Sequence, residues 1–209
     1  MVADRTRTGL ARRTALLCLP LLAGCAGAIR QPPNGWATLP PDAVAGAGDP
    51  VRSAIFNTAF VFSNPASVAG RPAEAARAVA NYEFLAAEIP FGPRWVGWNP
   101  TVGVQLMNAL PSVRTAFGIA PTAPAQGVVN GLYAASRALQ AGDAAAAAGA
   151  LPPSIFTAGG QATLQRLAAM PSLPDAAFAA TLAQQEMDRN DRLGSPRGGG
   201  PGGGGSGRP

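Results

Sequence analysis

From Asp49 to Leu193 the apolar residues recur mostly at helical spacing, broken by Pro and Gly at short intervals. Asp49-Pro50 opens an apolar segment that runs through Phe62, with the aspartate and proline where a helix N-cap and first turn take them. Ile55, Phe56, Phe60, Val61 and Phe62 are also compatible with a strand. A second helix is predicted from Pro72 to Ile89. It gathers Glu74, Arg77, Asn81 and Glu88 on one side and Val79, Tyr82, Ala86 and Ile89 on another. Asn99-Pro100 caps a third helix whose apolar side is Val102, Leu106, Met107 and Leu110, with Pro111 ending or kinking it before a short segment from Val113 to Phe117. The stretch from Ala123 to Ala141 places Val128, Leu132, Ala135 and Leu139 together, opposite Gln126, Asn130 and Arg137. Three further segments follow: Asp143 to Leu151, nearly all alanine; Gln161 to Met170, with Leu164, Leu167 and Ala168 on one face; and Asp175 to Leu193, aligning Phe178 and Leu182.

Short loops between such segments predict an all-α fold, a compact helical bundle of about five to seven helices over residues 49–193. No second copy of any segment recurs at the period of about 34 residues that a helical repeat array requires, so a solenoid is not expected. Outside the bundle the pattern disappears. Ala26 to Gly48 is rich in Pro, Gly and Ala and reads, with Cys25, as a flexible tether over residues 25–48; as a random chain of about 23 residues it would span roughly 25 to 30 Å. Residues 194–209, GSPRGGGPGGGGSGRP, read as a disordered tail.

The first residues have a different organisation. Arg5, Arg7, Arg12 and Arg13 precede an almost wholly apolar run, Thr14 to Ala23, that ends in small residues, the layout of an export signal. That run is about half the roughly twenty residues a bilayer-spanning helix needs. Leu22-Ala23-Gly24-Cys25 resembles the lipobox of bacterial lipoproteins. The resemblance implies that residues 1–24 are a signal peptide cut by signal peptidase II and that Cys25 carries diacylglycerol and is usually acylated on its new amine. Cys18 departs from the pattern, because Leu17 is too large for the position before it. By the same analogy Ala26, not aspartate, follows the cysteine, which points to the outer membrane, with the inner membrane as the alternative. Arg12-Arg13 before Thr14-Ala15-Leu16 also looks like a degenerate twin-arginine signal, so both export routes stay open.

Composition narrows the chemistry. The 16 basic residues are all arginine, and removal of residues 1–24 lowers the formal net charge from +5 to +2. No basic stripe with interleaved aromatics appears, so no nucleic-acid partner is expected. Histidine and lysine are absent, and the one mature cysteine is the proposed lipid site. Histidine- and cysteine-based nucleophilic systems, Schiff-base lysines, phosphate-loop lysines and His- or Cys-ligated metals are thereby excluded, and neither metal nor cofactor is expected. What remains for catalysis is a pair of carboxylates. Most candidates read as structural: Asp49, Asp143 and Asp175 as helix starts, and Glu186, Asp188 and Asp191 as a solvated helix end interleaved with Arg189 and Arg192.

Three features stand out. Phe91 to Pro100 concentrates Arg94, Trp95 and Trp98 in an irregular segment that reads either as a ligand or partner surface or as an aromatic seal for one end of the bundle. Glu83 lies away from the polar side of its helix and, if buried, requires a partner such as Arg114 or Arg137. That helix is apolar around most of its circumference, as a central helix or the wall of an apolar pocket would be. The resulting expectation is a lipid-anchored envelope protein, attached to the membrane through its lipid, with a non-catalytic partner-binding or scaffolding role. A carrier of a lipid or cell-wall fragment near Trp95 and Trp98 is the alternative, and a two-carboxylate hydrolase comes third.

Overall fold

The computed structural model describes residues 31–44 and 48–194; the signal segment, Leu22, Ala23, Gly24, Cys25 and the Gly-rich tail beyond Gly194 lie outside them. Seven α-helices form the described fold: α1 (Pro50–Ser63), α2 (Pro72–Glu88), α3 (Pro100–Phe117), α4 (Ala125–Gln140), α5 (Ala144–Gly149), α6 (Gly160–Ala168) and α7 (Pro174–Gly194). Among the described residues there is no strand, only a lone antiparallel bridge between Ile119 and Phe156.

Helix starts follow the capping chemistry. The Asp49 carboxylate accepts from the Val51 amide at 2.9 Å, the Asn99 side chain from the Thr101 amide at 3.0 Å and Asp143 from the Ala146 amide at 2.8 Å. With Asp49-Pro50 fixing its start, the ambiguous first segment is a helix. Its buried positions, Ala54, Ile55, Thr58, Ala59, Val61 and Phe62, form a helical stripe that leaves Phe60 exposed.

The central element is α2, which touches α1, α3, α4 and α6. From Ala75 to Ala87 every residue except Arg77 is buried, and the alanines among them allow neighbouring helices to approach closely. Asn81, expected on the polar side, is buried as well: Tyr133 donates to it at 2.6 Å and it donates to Asn57 at 3.1 Å, which satisfies the amide inside the bundle. Helix α7 packs on α1 and α3, while α5 and α6 close the other end against α4 and α2. The start of α6 lies so close to α5 that any side chain at Gly160 would collide with the Ala148 carbonyl.

Three expectations are corrected. Pro111 neither ends nor breaks α3, which continues to Phe117 and stops at Gly118, in the left-handed region at φ 67°. The missing Pro111 N–H removes one internal bond. Side chains add bonds to neighbouring carbonyls of the helix: the Tyr82 hydroxyl reaches that of Leu106 at 3.3 Å, Ser112 that of Ala109 at 2.7 Å and Thr115 that of Pro111 at 2.8 Å. In α7 the buried face is Ala176, Ala179, Ala180, Ala183 and Met187, whereas Phe178 is 58 % exposed. Small residues win that face because they allow close helix contact, and size alone misdirected the assignment.

The third correction concerns the tether. Residues 31–44 are a strap bound to the bundle. Asn34 donates to the carbonyls of Pro121 and Ala123 at 3.0 and 3.1 Å, and its own carbonyl accepts from Ala125. Thr38 and Gln126 exchange backbone and side-chain bonds, including one of 2.7 Å. Arg77 donates to the Ala43 carbonyl at 2.7 Å, Arg137 pairs with Asp42, and Ala37 and Ala43 are buried. The expectation of a flexible tether is thus corrected over residues 31–44 alone, where most of the partners lie some ninety positions away in sequence, beyond the reach of local composition; residues 25–30 and 45–47 lie outside the described residues.

Candidate functional site

Helices α2 and α3 meet at a buried ion pair. Glu83 and Arg114 are 1 % and 3 % exposed, and the Arg114 guanidinium grips both Glu83 carboxylate oxygens, through Nε at 3.1 Å and through Nη2. Arg137, the other partner considered for Glu83, binds Asp42 instead. Arg114 is fully committed: beyond Glu83 it donates through Nη1 to the carbonyls of Ala120 and Pro121, at 3.1 and 2.7 Å, and through Nη2 to that of Ala123, at 3.1 Å. A guanidinium has five N–H donors, and each has an acceptor here. Burial pushes the Glu83 carboxyl above the ordinary carboxylate range, while the Arg114 hydrogen bonds and charge draw it back. The pair thus fastens the loop after α3, and that loop in turn carries the Asn34 end of the strap.

Beside the pair an apolar cavity of about 200 Å³ opens between α2, α3 and the strap. Ala86, Ala87, Met107, Leu110, Pro33 and Pro121 wall it, with Glu83 and Arg114 also reaching it. A second, mainly polar hollow of about 310 Å³ lies between α1 and α2, lined by Asn57, Ser67, Arg77 and Asn81.

Trp95 and Trp98 lie away from both hollows. Trp95 is 6 % exposed, Trp98 is half-buried against the core, and their rings meet edge to face at 4.5 Å. Arg94 stacks over Trp95 with its guanidinium carbon 5.1 Å from the ring centre and pairs with Asp49. The three residues therefore come together, and the geometry is that of an aromatic seal tied to the start of α1. The exposed apolar side chain of this loop is Val96.

Sequence reasoning missed Glu186. It is not on a solvated face: it is buried, accepts from the Asn99 amide at 2.9 Å at the start of α3, and is held by Arg189 one turn on. Chiefly the Arg189 hydrogen bonds, with the Asn99 amide, lower its carboxyl to about 2. No local signal marks a contact between positions so far apart. The strap, in contrast, carries one: Pro33-Asn34-Gly35 is a turn sequence, and Gly35 adopts φ 78° with its amide bonded to the Pro32 carbonyl.

The other acids are distributed. Asp42, Glu74 and Asp191 pair with Arg137, Arg71 and Arg52, and Asp143 caps α5. Among the described residues, no group of three or more acidic side chains is placed to hold a metal ion. Comparison of the chain with protein-family models, curated proteins and solved structures finds no match.

Proposed function

We propose that this chain is a lipid-anchored protein of the bacterial cell envelope, held through Cys25, whose helical domain acts by binding a partner and not by catalysis. The observation that carries the reading is the register of basic flank, short apolar run and Leu22-Ala23-Gly24-Cys25. The described helices add no competing anchor, since none is long and apolar enough to cross a membrane. A non-catalytic role is supported by most of the described acids: Asp42, Asp49, Glu74, Glu83, Asp143, Glu186 and Asp191 are each engaged by an arginine or a helix terminus, and the three others, Glu88, Asp175 and Asp188, form no ion pair among the described residues. Two or three acyl chains make attachment effectively stable where one gives marginal binding. The outer membrane is the proposed destination, with Ala26 after the cysteine as its support.

Fractionation of cells by membrane density tests this. Wild-type protein is expected in the outer-membrane fraction and Cys25→Ser outside the membrane pellet. Wild type recovered outside the membrane, or Cys25→Ser still bound, overturns the reading. The carrier alternative draws no support from the sealed Trp95 and Trp98, but the cavity beside Glu83 gives it a different location.

A further inference from the structure

We infer that the cavity between α2, α3 and the strap binds an uncharged, mainly hydrocarbon ligand. The volume, about 200 Å³, exceeds the roughly 150 Å³ of an apolar cavity that stays dry and takes up benzene. Its walls are aliphatic: Ala86 and Ala87 from α2, Met107 and Leu110 from α3, Pro33 from the strap and Pro121 from the loop. Met107 adapts to irregular shapes because its side chain is unbranched and polarizable.

The polar groups around the cavity define the charge of the ligand. Arg114 is the one cation in the lining, and all its donors are used, on Glu83 and on the carbonyls of Ala120, Pro121 and Ala123. A carboxylate or phosphate entering the cavity would have to displace one of these acceptors, and breaking a buried pair is strongly unfavourable. Glu83 adds repulsion. A cation gains little, because Arg114 already neutralises Glu83, and it would lose its hydration. The Pro121 and Ala123 carbonyls are doubly occupied, by Arg114 and by the Asn34 amide. Pro33, Pro111 and Pro121 have no N–H to offer. What the mouth presents to a visitor is therefore apolar surface. The polar options left are acceptors: each Glu83 oxygen retains a site, and the Asn34 side-chain oxygen and the Thr115 hydroxyl also line the cavity, which suits a hydroxyl donor on an otherwise hydrocarbon molecule.

The inference does not depend on the lipid anchor, so the full chain carrying Cys25→Ser serves for the test. The probes are 1-hexanol and hexanoate, read by carbon-13 NMR of methionine methyl groups. Met107 lines the cavity, and Met170 and Met187, buried elsewhere, are internal controls. 1-Hexanol is expected to shift the Met107 methyl saturably and leave the other two unmoved, hexanoate to bind at least tenfold more weakly, and Ala87→Leu to weaken hexanol binding at least tenfold. Should Ala87→Leu fail to fold, Ala87→Val fills less space and is expected to give the same direction. The inference is overturned if Met107 does not respond, if all three methyls shift together, if hexanoate binds as well as hexanol, or if the filled cavity binds unchanged. Repeating the titration with phosphatidylethanolamine vesicles separates the sources: a Met107 shift there identifies a bilayer lipid, and a shift with hexanol alone a free apolar compound.

Discussion

The strap, residues 31–44, and the Trp95–Trp98 loop are both irregular, Pro/Gly-containing segments on the same bundle, yet they are held by different physics. The loop is anchored by aromatic burial, with Trp95 inside, Trp98 packed on its edge and Arg94 stacked outside. The strap fully buries only Ala37, Ala43 and Pro32, packs Leu39 against the core, and is held mainly by hydrogen bonds and charge: Asn34 on two carbonyls, Thr38 with Gln126, Asp42 with Arg137. A large apolar anchor announces itself in the sequence, whereas a polar attachment does not, because its strength lies in partners supplied by the fold.

Arg114 underlies the strap's docking site, and its removal is expected to have the largest effect. Arg114→Met leaves Glu83 buried without a counter-charge and takes one donor from each of three carbonyls, a loss of about 3–5 kcal/mol. In chemical denaturation the unfolding free energy should fall by that amount, with a matching drop in the midpoint at unchanged slope. Adding Glu83→Leu should restore only part of it, since the carbonyls of Ala120, Pro121 and Ala123 still lack their Arg114 bonds and keep only those from the Ala123 amide and the Asn34 side chain. Full recovery by the double variant would show that the loop is not fastened by Arg114.

Trp95→Ala tests the aromatic half of the comparison. Loss of a buried Trp is expected to cost about 3 kcal/mol and to lower the melting temperature by roughly 6–12 °C. The effect should be global, because the seal packs on the core shared by all helices.

Asn34→Ala is expected to cost less, about 1–2 kcal/mol, and to act locally. Hydrogen exchange should accelerate over residues 34–43 while amides of α2 keep their protection. Equal acceleration in α2 would mean that strap and bundle unfold as one unit, contrary to the contrast drawn here.

The smallest effect belongs to Glu186→Gln, about 1 kcal/mol near neutral pH. The Glu186 carboxyl is held near 2, below its ordinary value of 4.5, so its contribution is present above about pH 4.5 and is lost as pH falls through about 2. Wild type and variant should therefore converge in melting temperature across that window. A constant difference down to pH 2 would contradict the pairing with Arg189 and the Asn99 amide.

Legibility in the sequence followed the range of the interactions. Asp49, Asn99 and Asp143 were readable because a cap and its helix are neighbours in the chain. The helical class was readable from apolar spacing, and Glu83 from its position on the wrong side of α2. The α3 continuation past Pro111 was not, because a proline costs the helix only one internal bond and the packing that holds both halves together lies in other elements. Nor was the face of α7, where alanines displace Phe178 from the interface. The cavity is the least local feature, since Pro33, Ala87, Met107 and Pro121 come from four parts of the chain.

The central claim is attachment to the envelope through Cys25, and the intact mass of protein recovered from bacterial membranes tests it most directly. The account predicts the mass of residues 25–209 plus diacylglycerol and an amide-linked acyl group, all lost in Cys25→Ser. A wild-type chain of unacylated mass, or one that retains residues 1–24, would contradict it.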